Sequence, residues 1–467
     1  MPSKVLTFLT AAFVLIYTSA ALVVVLNRYW QYQNFYFDLG IFDSAIWQVS
    51  RFHPPLVDHV DFGSVKILSL GDHFNPSVFL LSPLYWLTSR TEVLLIAQTL
   101  AVGLSGLVVF KIGASQLKSK LAVLALVVAF LGYVGLQNAL ISDFHEATIA
   151  VLPLTLIFYA IFNKKWKLYF LLLIILLGLK ETFAGLGVGI GLYLLISDRR
   201  QNLKRGMLTI LISAVWGIAA MKVIIPYFSG GTYLYTPHYL PATLDEAVNR
   251  LFYQQLPRQT IFYTFATFGF LPLFNIAVLP AILENFFERY ILYFGKGLDL
   301  GMHYNATLAP LLFIGALGVF RFLERRFKNT LAVTILSLAI IGGVIFLHRV
   351  VLHGPLGLFY NPVFYQQNQG VKYVDNFVGH FPKDGLIMTQ NDLAVRLAHY
   401  NVALLRRDYQ SLSPDHIILN LTEGQNLNSF YPLKYAEAVD LKNRLLVDPQ
   451  YKKVEKYGKE LYIFSKK

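Results

Sequence analysis

Apolar runs separated by short polar loops fill the chain from residue 5 to about residue 348, and beyond that point the pattern turns polar with short alternating stretches. Runs of roughly 18 or more residues with few charges have the length that a ~30 Å hydrocarbon layer requires of a helix. The pattern predicts membrane-spanning helices over 5–26, 92–113, 120–139, 147–163, 167–181, 182–197, 206–226, 258–272, 275–294, 305–320 and 329–348. The first run, VLTFLTAAFVLIYTSAALVVVL, exceeds the usual apolar core of a cleaved leader and reads as a retained span. Between the first two spans, Leu39, Phe42, Ile46 and Val49 recur at helical spacing, which predicts an amphipathic helix beginning at Asp38 and lying at the membrane interface. The later stretch GDHFNPSVFLLSPLYWL holds an apolar piece too short to cross, and so a second interfacial or re-entrant helix.

The stretch VLHGPLGLFYNP, rich in Gly and Pro, marks a boundary, giving a transmembrane domain over 1–350 and a second domain over 351–467. In the second domain GLIMTQ, NVALL, DHIILNL and KELYIFS read as strands, and 366–380, 391–399 and 434–446 as helices. That alternation predicts a small α/β layer domain. It carries no Gly-rich phosphate motif, which leaves packing, acceptor binding or partner contact as its roles.

Composition agrees with the pattern: 55% of the 467 residues are hydrophobic and 14% charged. The fold class is therefore an α-helical multispanning membrane protein. Cysteine is absent, which removes disulfides, thiolate metal sites and a thiol nucleophile. Much of the net charge of +13 sits in alternate loops, at Lys4, at Lys111, Lys118 and Lys120, at Lys164, Lys165 and Lys167, at Arg199, Arg200, Lys204 and Arg205, and at Arg321, Arg325, Arg326 and Lys328. By the positive-inside rule these loops and the N-terminus are cytoplasmic, and after eleven spans the C-terminal domain lies outside the cytoplasm. The charge is thus a topology signal, and nucleic acid is not an expected partner.

The opposite loops hold the unusual residues, in DLGIFD, GDHFNP, SDFHEA, LKET, TPHYLP and GMHYN. The two short helices of the first outer loop are expected to frame an outward cavity lined by Asp38, Asp43, Asp72 and His73. Each candidate has a plainer reading. Asp38 is also a good helix N-cap, Asp43 suits a solvated helix face, and Asp72 with His73 suits a turn before Pro76. Lys180 and Glu181, at the meeting of two apolar runs, are costly there unless paired or hydrated, the alternative being a hairpin turn with a snorkelling lysine. Asp143, His145 and Glu146 form a compact polar cluster; without D-x-D or H-x-x-x-H spacing it reads as a cavity-shaping loop rather than a metal site. His303 and Tyr304 suit either ligand contact or an interfacial anchor. Loop 227–257, aromatic and rich in Gly and Pro, suits a lid or an ordered cover.

An acidic segment after the first span, followed by SPLYWL ahead of the second, resembles the first outer loop of C-type (GT-C) integral-membrane glycosyltransferases. In order along the chain, DLGIFDSAIW, GDHFNPSVFLLSPLYWL, DFHEATIAVLPL, LKETFAGLGVGIGLYLL and HYNATLAPLLFIGAL resemble the prokaryotic membrane proteins grouped as domain-of-unknown-function family 2079. The resemblance covers roughly residues 30–320 and extends weakly into the tail.

The resemblance implies a GT-C-like fold in the prokaryotic cytoplasmic membrane. It implies transfer of a sugar from a polyprenyl-phosphate carrier to a lipid, glycan or protein acceptor on the outer face. Such a reaction needs a base for the acceptor, a cradle for the leaving phosphate and a lateral route for the lipid. Asp38 best matches the acidic position and Asp43 is the second choice. Lys180 is assigned the donor phosphate with Glu181 orienting it, and Asp72, His73, Asp143, His145, Glu146, His303 and Tyr304 are further substrate contacts. The expected partners are membrane lipid and the lipid-linked donor; no cofactor is assigned, and a divalent metal stays open. The rival function is a transporter or flippase for a lipid-linked substrate, since intramembrane charges and interrupted spans also mark translocation paths.

Overall fold

A computed structural model describes residues 3–63, 66–231, 233–237, 240–293, 297–327, 330–366, 368–456 and 460–467. The chain divides into two compact units, one of residues 1–24, 73–77 and 96–359, the other of residues 25–72, 78–95 and 360–467.

The first unit is helical. Among the described residues five helices in the chain are long and apolar enough to cross a membrane: Lys4–Trp30, Glu92–Gln116, Arg199–Ser229, His303–Arg326 and Thr330–Val351. A sixth span is formed if Lys120–Gly132 and Val134–Ile141, bent by 45°, count as one. The bend falls at Tyr133, whose backbone is extended, and Gln137 Nε2 donates to the Leu131 carbonyl (3.0 Å), satisfying an acceptor that the break would leave orphaned. The remaining apolar stretches form shorter helices, among them Glu146–Phe162, Trp166–Leu177 and Phe183–Ser197. Twelve residues of helix reach only about 18 Å. On Thr330–Val351 the side chains of Leu331, Ile335, Leu338 and Ile345 are all more than half exposed, as befits a helix facing hydrocarbon.

Helix Phe183–Ser197 packs on two partners because its glycines fall on two faces. A Cβ on Gly191 would meet the Gly206 carbonyl at 2.9 Å, on helix Arg199–Ala219. One on Gly189 would meet Ala281 Cα at 2.6 Å, on helix Leu279–Phe287. Small residues thus let backbones meet where van der Waals contact, rather than expulsion of water, must hold helices together.

The second unit is built on a mixed five-stranded sheet. Its strands, counted with the two-residue hairpin β1 (Leu56–Val57) and β2 (Ile67–Leu68), are β3 (Ile387–Thr389), β4 (Val402–Leu404), β5 (His416–Asn420), β6 (Tyr451–Lys456) and β7 (Leu461–Lys466). The order is β4-β3-β5-β7-β6, with β3 parallel to both neighbours and β7 antiparallel to both of its own. Alternation sends Ile387, Ile418, Leu461 and Ile463 to one face, and Met388, Ile417, Leu419, Tyr462 and Phe464 to the other. Helix Tyr435–Val447 covers the second face through Ala438, Leu441 and Leu445.

The first face is covered partly from the first loop. Tyr36, Ile41, Ala45 and Val57 share one core with Phe377, Phe381, Leu393 and Val402. This unit therefore takes in more than the residues 351–467 that composition marks off. The helix Ile41–Ser50 places its apolar face against protein, where the sequence alone suggested a membrane interface. Asp38 falls inside the preceding helical turn Tyr36–Gly40, not at an N-cap.

Asp392, 4% exposed at the start of the short helix Asn391–Ala394, is an acid within this core. Burial pushes its carboxyl up to about 7 against the hydrogen bonds it receives from Ser429 and from its own and the Leu393 backbone. The folded state then holds this proton more tightly than the unfolded chain, whose carboxyl titrates near ~3.9. Its contribution is full below that pH and is lost as pH rises through about 7. We expect the unfolding midpoint of the full chain in detergent to fall between pH 5 and pH 8 more steeply for the wild type than for Asp392→Asn.

Candidate functional site

In the first unit the helix Trp166–Leu177 stops at Gly178, and a short turn carries Lys180 and Glu181 to the start of Phe183–Ser197. Gly178 is used because its carbonyl accepts from the Ser77 N–H (2.7 Å), an approach that leaves no room for a Cβ. That contact draws segment 73–77 onto the turn. His73 Nδ1 lies 2.8 Å from Glu181 Oε1, the Tyr233 hydroxyl donates to the same oxygen (2.9 Å), and the Phe74 N–H donates to Oε2 (3.2 Å). Tyr235 stacks on the His73 ring at 4.4 Å. Loop 227–257 therefore reaches this pair with two of its tyrosines, Tyr233 on Glu181 and Tyr235 on His73; Thr232, His238 and Tyr239 of that loop lie outside the described residues.

Lys180 is 7% exposed and donates to Glu146 Oε1 at 2.5 Å, so it neither snorkels nor takes Glu181 as its hydrogen-bonded partner. Glu146 is 1% exposed, and its second oxygen has no hydrogen-bond partner among the described residues. His145, whose N–H donates to Gln98 Oε1 (2.9 Å), stacks on His303 with ring centroids 3.6 Å apart. Asp143 is buried, and its carbonyl accepts from Gln98 Nε2 (3.2 Å), so Gln98 pins the whole Asp143–Glu146 turn. The Tyr304 ring faces two cations, Lys180 at 5.6 Å and Arg289 at 5.9 Å. Of the residues expected from sequence, His73, His145, Glu146, Lys180, Glu181, His303 and Tyr304 are thus joined by successive contacts.

Arg289 and Tyr233 were not anticipated. Arg289 is 3% exposed and donates to Asn305 Oδ1 (2.8 Å), to Asn285 Oδ1 (3.3 Å) and to the carbonyls of Gly297 and Asp299. Its signal was in the sequence, since an arginine within ILENFFERYIL is a charge inside an apolar run.

The acids of the first loop lie in the second unit and do not share one set of contacts. Asp43, fully buried, accepts from the Tyr85 hydroxyl, from Thr91 Oγ1 (2.6 Å) and from His399 Nε2 (3.0 Å). A solvated helix face is excluded for it. Burial, and then the Asp43 charge, push the Tyr85 phenol far above its ordinary range, which keeps it a donor. The His399 ring stacks flat on Trp47 at 4.1 Å. Asp72 lies 3.5 Å from His59 Nε2. Asp58 holds Arg406 (2.8 Å) and accepts from the Leu404 N–H (3.0 Å). Asp38 remains partly exposed. Among the described residues no three His, Asp or Glu side chains are grouped to hold a metal ion.

A family model of predicted membrane proteins, DUF2079, matches residues 28–444. The chain belongs to the DUF2079 family. With its apolar helices, this DUF2079 chain is a multi-pass membrane protein. No curated protein matches it.

A buried ion pair broken on one side leaves an uncompensated charge and costs about 3–5 kcal/mol. We expect Lys180→Met to lower stability in detergent by that amount, and the further change Glu146→Leu to restore most of it. Equal losses in the single and double variants would show that the pair is not coupled.

Proposed function

We propose that this DUF2079 chain is an integral-membrane glycosyltransferase of the GT-C kind, with about eleven spans, a cytoplasmic N-terminus and an extracytoplasmic C-terminal domain. It moves a sugar from a polyprenyl-phosphate carrier to an acceptor on the outer face. The observation that carries this reading is the cluster of buried Lys180, Arg289 and His145 with the partly buried His73 and His303, gathered near Glu146 and Glu181 at the ends of apolar helices. Ionisable groups in such a place are costly, and a buried pair adds little net stability, so their retention favours a role in binding charge.

In the proposed reaction a general base removes the proton of an acceptor hydroxyl or amine, and the acceptor heteroatom forms a bond to the anomeric carbon. The bond from that carbon to the phosphate oxygen breaks, and the lipid phosphate leaves with the electron pair. Lys180, with His73 beside it in the cluster, supplies positive charge and hydrogen bonds to that leaving group. Asp38 is the base. Asp43 is disfavoured because Tyr85, Thr91 and His399 engage both of its oxygens, whereas Asp38 keeps solvent contact. Asp43 instead positions the segment on which Asp38 sits.

Translocation of a lipid-linked substrate is the second reading, favoured by the 45° break at Tyr133, since broken helices and buried charges also line transport paths. The two diverge in a purified system. General-base catalysis is worth roughly 10²–10⁴-fold. We expect Asp38→Asn to lower sugar transfer from a polyprenyl-phosphate donor by at least about 100-fold, with folding and donor binding unchanged. Undiminished turnover would assign the base elsewhere, and lipid movement in proteoliposomes without any transfer product would favour the second reading.

A further inference from the structure

The second unit holds an open cavity of about 560 Å³, within the roughly 300–1,000 Å³ typical of small-molecule sites. Its wall comes from three separate stretches: Val60 to Gly63 of the first loop, Arg406 to Ser411, and Tyr431 to Glu437. Tyr431, 36% exposed, supplies an aromatic ring to this wall. Asp61, Arg407, Asp408 and Glu437 supply planar charged groups around it.

Charge decides what such a wall accepts. Arg406, though on the wall, is committed to Asp58 and to the Gly63 carbonyl (2.9 Å), and Arg407 pairs with Glu437. Asp61 and Asp408 are left as the excess, so a phosphate or another anion would be repelled. A neutral, polyhydroxylated ligand fits. Carboxylate and guanidinium groups bridge neighbouring hydroxyls in pairs, and the C–H face of a sugar ring packs on an aromatic side chain. Behind the aromatic wall, Phe37 packs edge-on against Tyr431 with ring centroids 4.8 Å apart, and the next residue in the chain is Asp38. Burial, and then the charges of Asp61 and Asp38, push the Tyr431 phenol up from its ordinary value, as expected of carboxylates close by.

We propose that this cavity binds a neutral saccharide, and that the acceptor of the transfer reaction is therefore a glycan, offered next to Asp38. The inference rests on the glycosyltransferase reading for the word acceptor, and on the cavity alone for the saccharide. Both the aromatic platform and the excess carboxylates are needed for it.

The test uses the full chain in lipid nanodiscs and an array of neutral and acidic oligosaccharides, each presented free and on a lipid anchor. A subset of neutral glycans should bind, in either presentation, and binding should fall at least about tenfold in Tyr431→Ala and in the exposed-site variant Asp61→Asn. Preference for acidic glycans, absence of any neutral binder, or binding that both Tyr431→Ala and Asp61→Asn leave intact would overturn the site. The two readings fail separately. Saccharide binding with undiminished transfer by Asp38→Asn contradicts the base assignment alone. Loss of transfer in Asp38→Asn, with acceptor KM unchanged in Asp61→Asn and Tyr431→Ala, contradicts the cavity's role as the acceptor site alone.

Discussion

A carboxylate taken out of water must be met by a donor or a positive charge, and both units are organised around that demand. Four buried acids are answered by basic groups from elsewhere in the chain. Asp43 meets His399 across 356 residues, Asp58 meets Arg406 across 348, Glu181 meets His73 across 108, and Glu146 meets Lys180 across 34. Each pair fastens two segments whose backbones would otherwise have only apolar contact to fix their register. The first two tie the first loop to the sheet of the second unit, which is why residues 25–72 belong to a body otherwise made of the C-terminal chain.

The same pairing sorts the acids by what they can do. Asp43 and Asp58 have spent their hydrogen-bonding capacity on neighbours and act as fasteners. In the first unit the satisfaction is less complete, with one oxygen of Glu146 open beside a buried ammonium. That oxygen is an acceptor, suited to a hydroxyl or an N–H donor.

Much of this was legible in the sequence. The short apolar runs in GLIMTQ, NVALL, DHIILNL and KELYIFS mark β3, β4, β5 and β7, because both faces of that sheet are buried and demand apolar side chains. Strand β6 was not legible. Its residues YKKVEK pair only with β7 at the sheet edge, where lysines guard against further pairing and erase the apolar signal. The helix holding Asp43 showed its amphipathic period but not its partner, since a face that packs on a sheet 350 residues away reads the same as one that lies on lipid. Lys180 and Glu181 stood out as charges in an apolar run, yet adjacency in sequence suggested that they serve each other. The turn points them to different partners, Glu146 and His73, and only the packing of segment 73–77 on Gly178 reveals it.

Under the proposed function, the buried charges of the first unit receive a lipid-linked phosphate. Electron cryomicroscopy of the chain in nanodiscs with a non-transferable polyprenyl-phosphonate sugar tests it most directly. The phosphorus density is expected against Lys180 and His73, with the Asp43–His399 contact unchanged. Density for the phosphonate at a place remote from Lys180, or against Asp43 with His399 displaced, would contradict it.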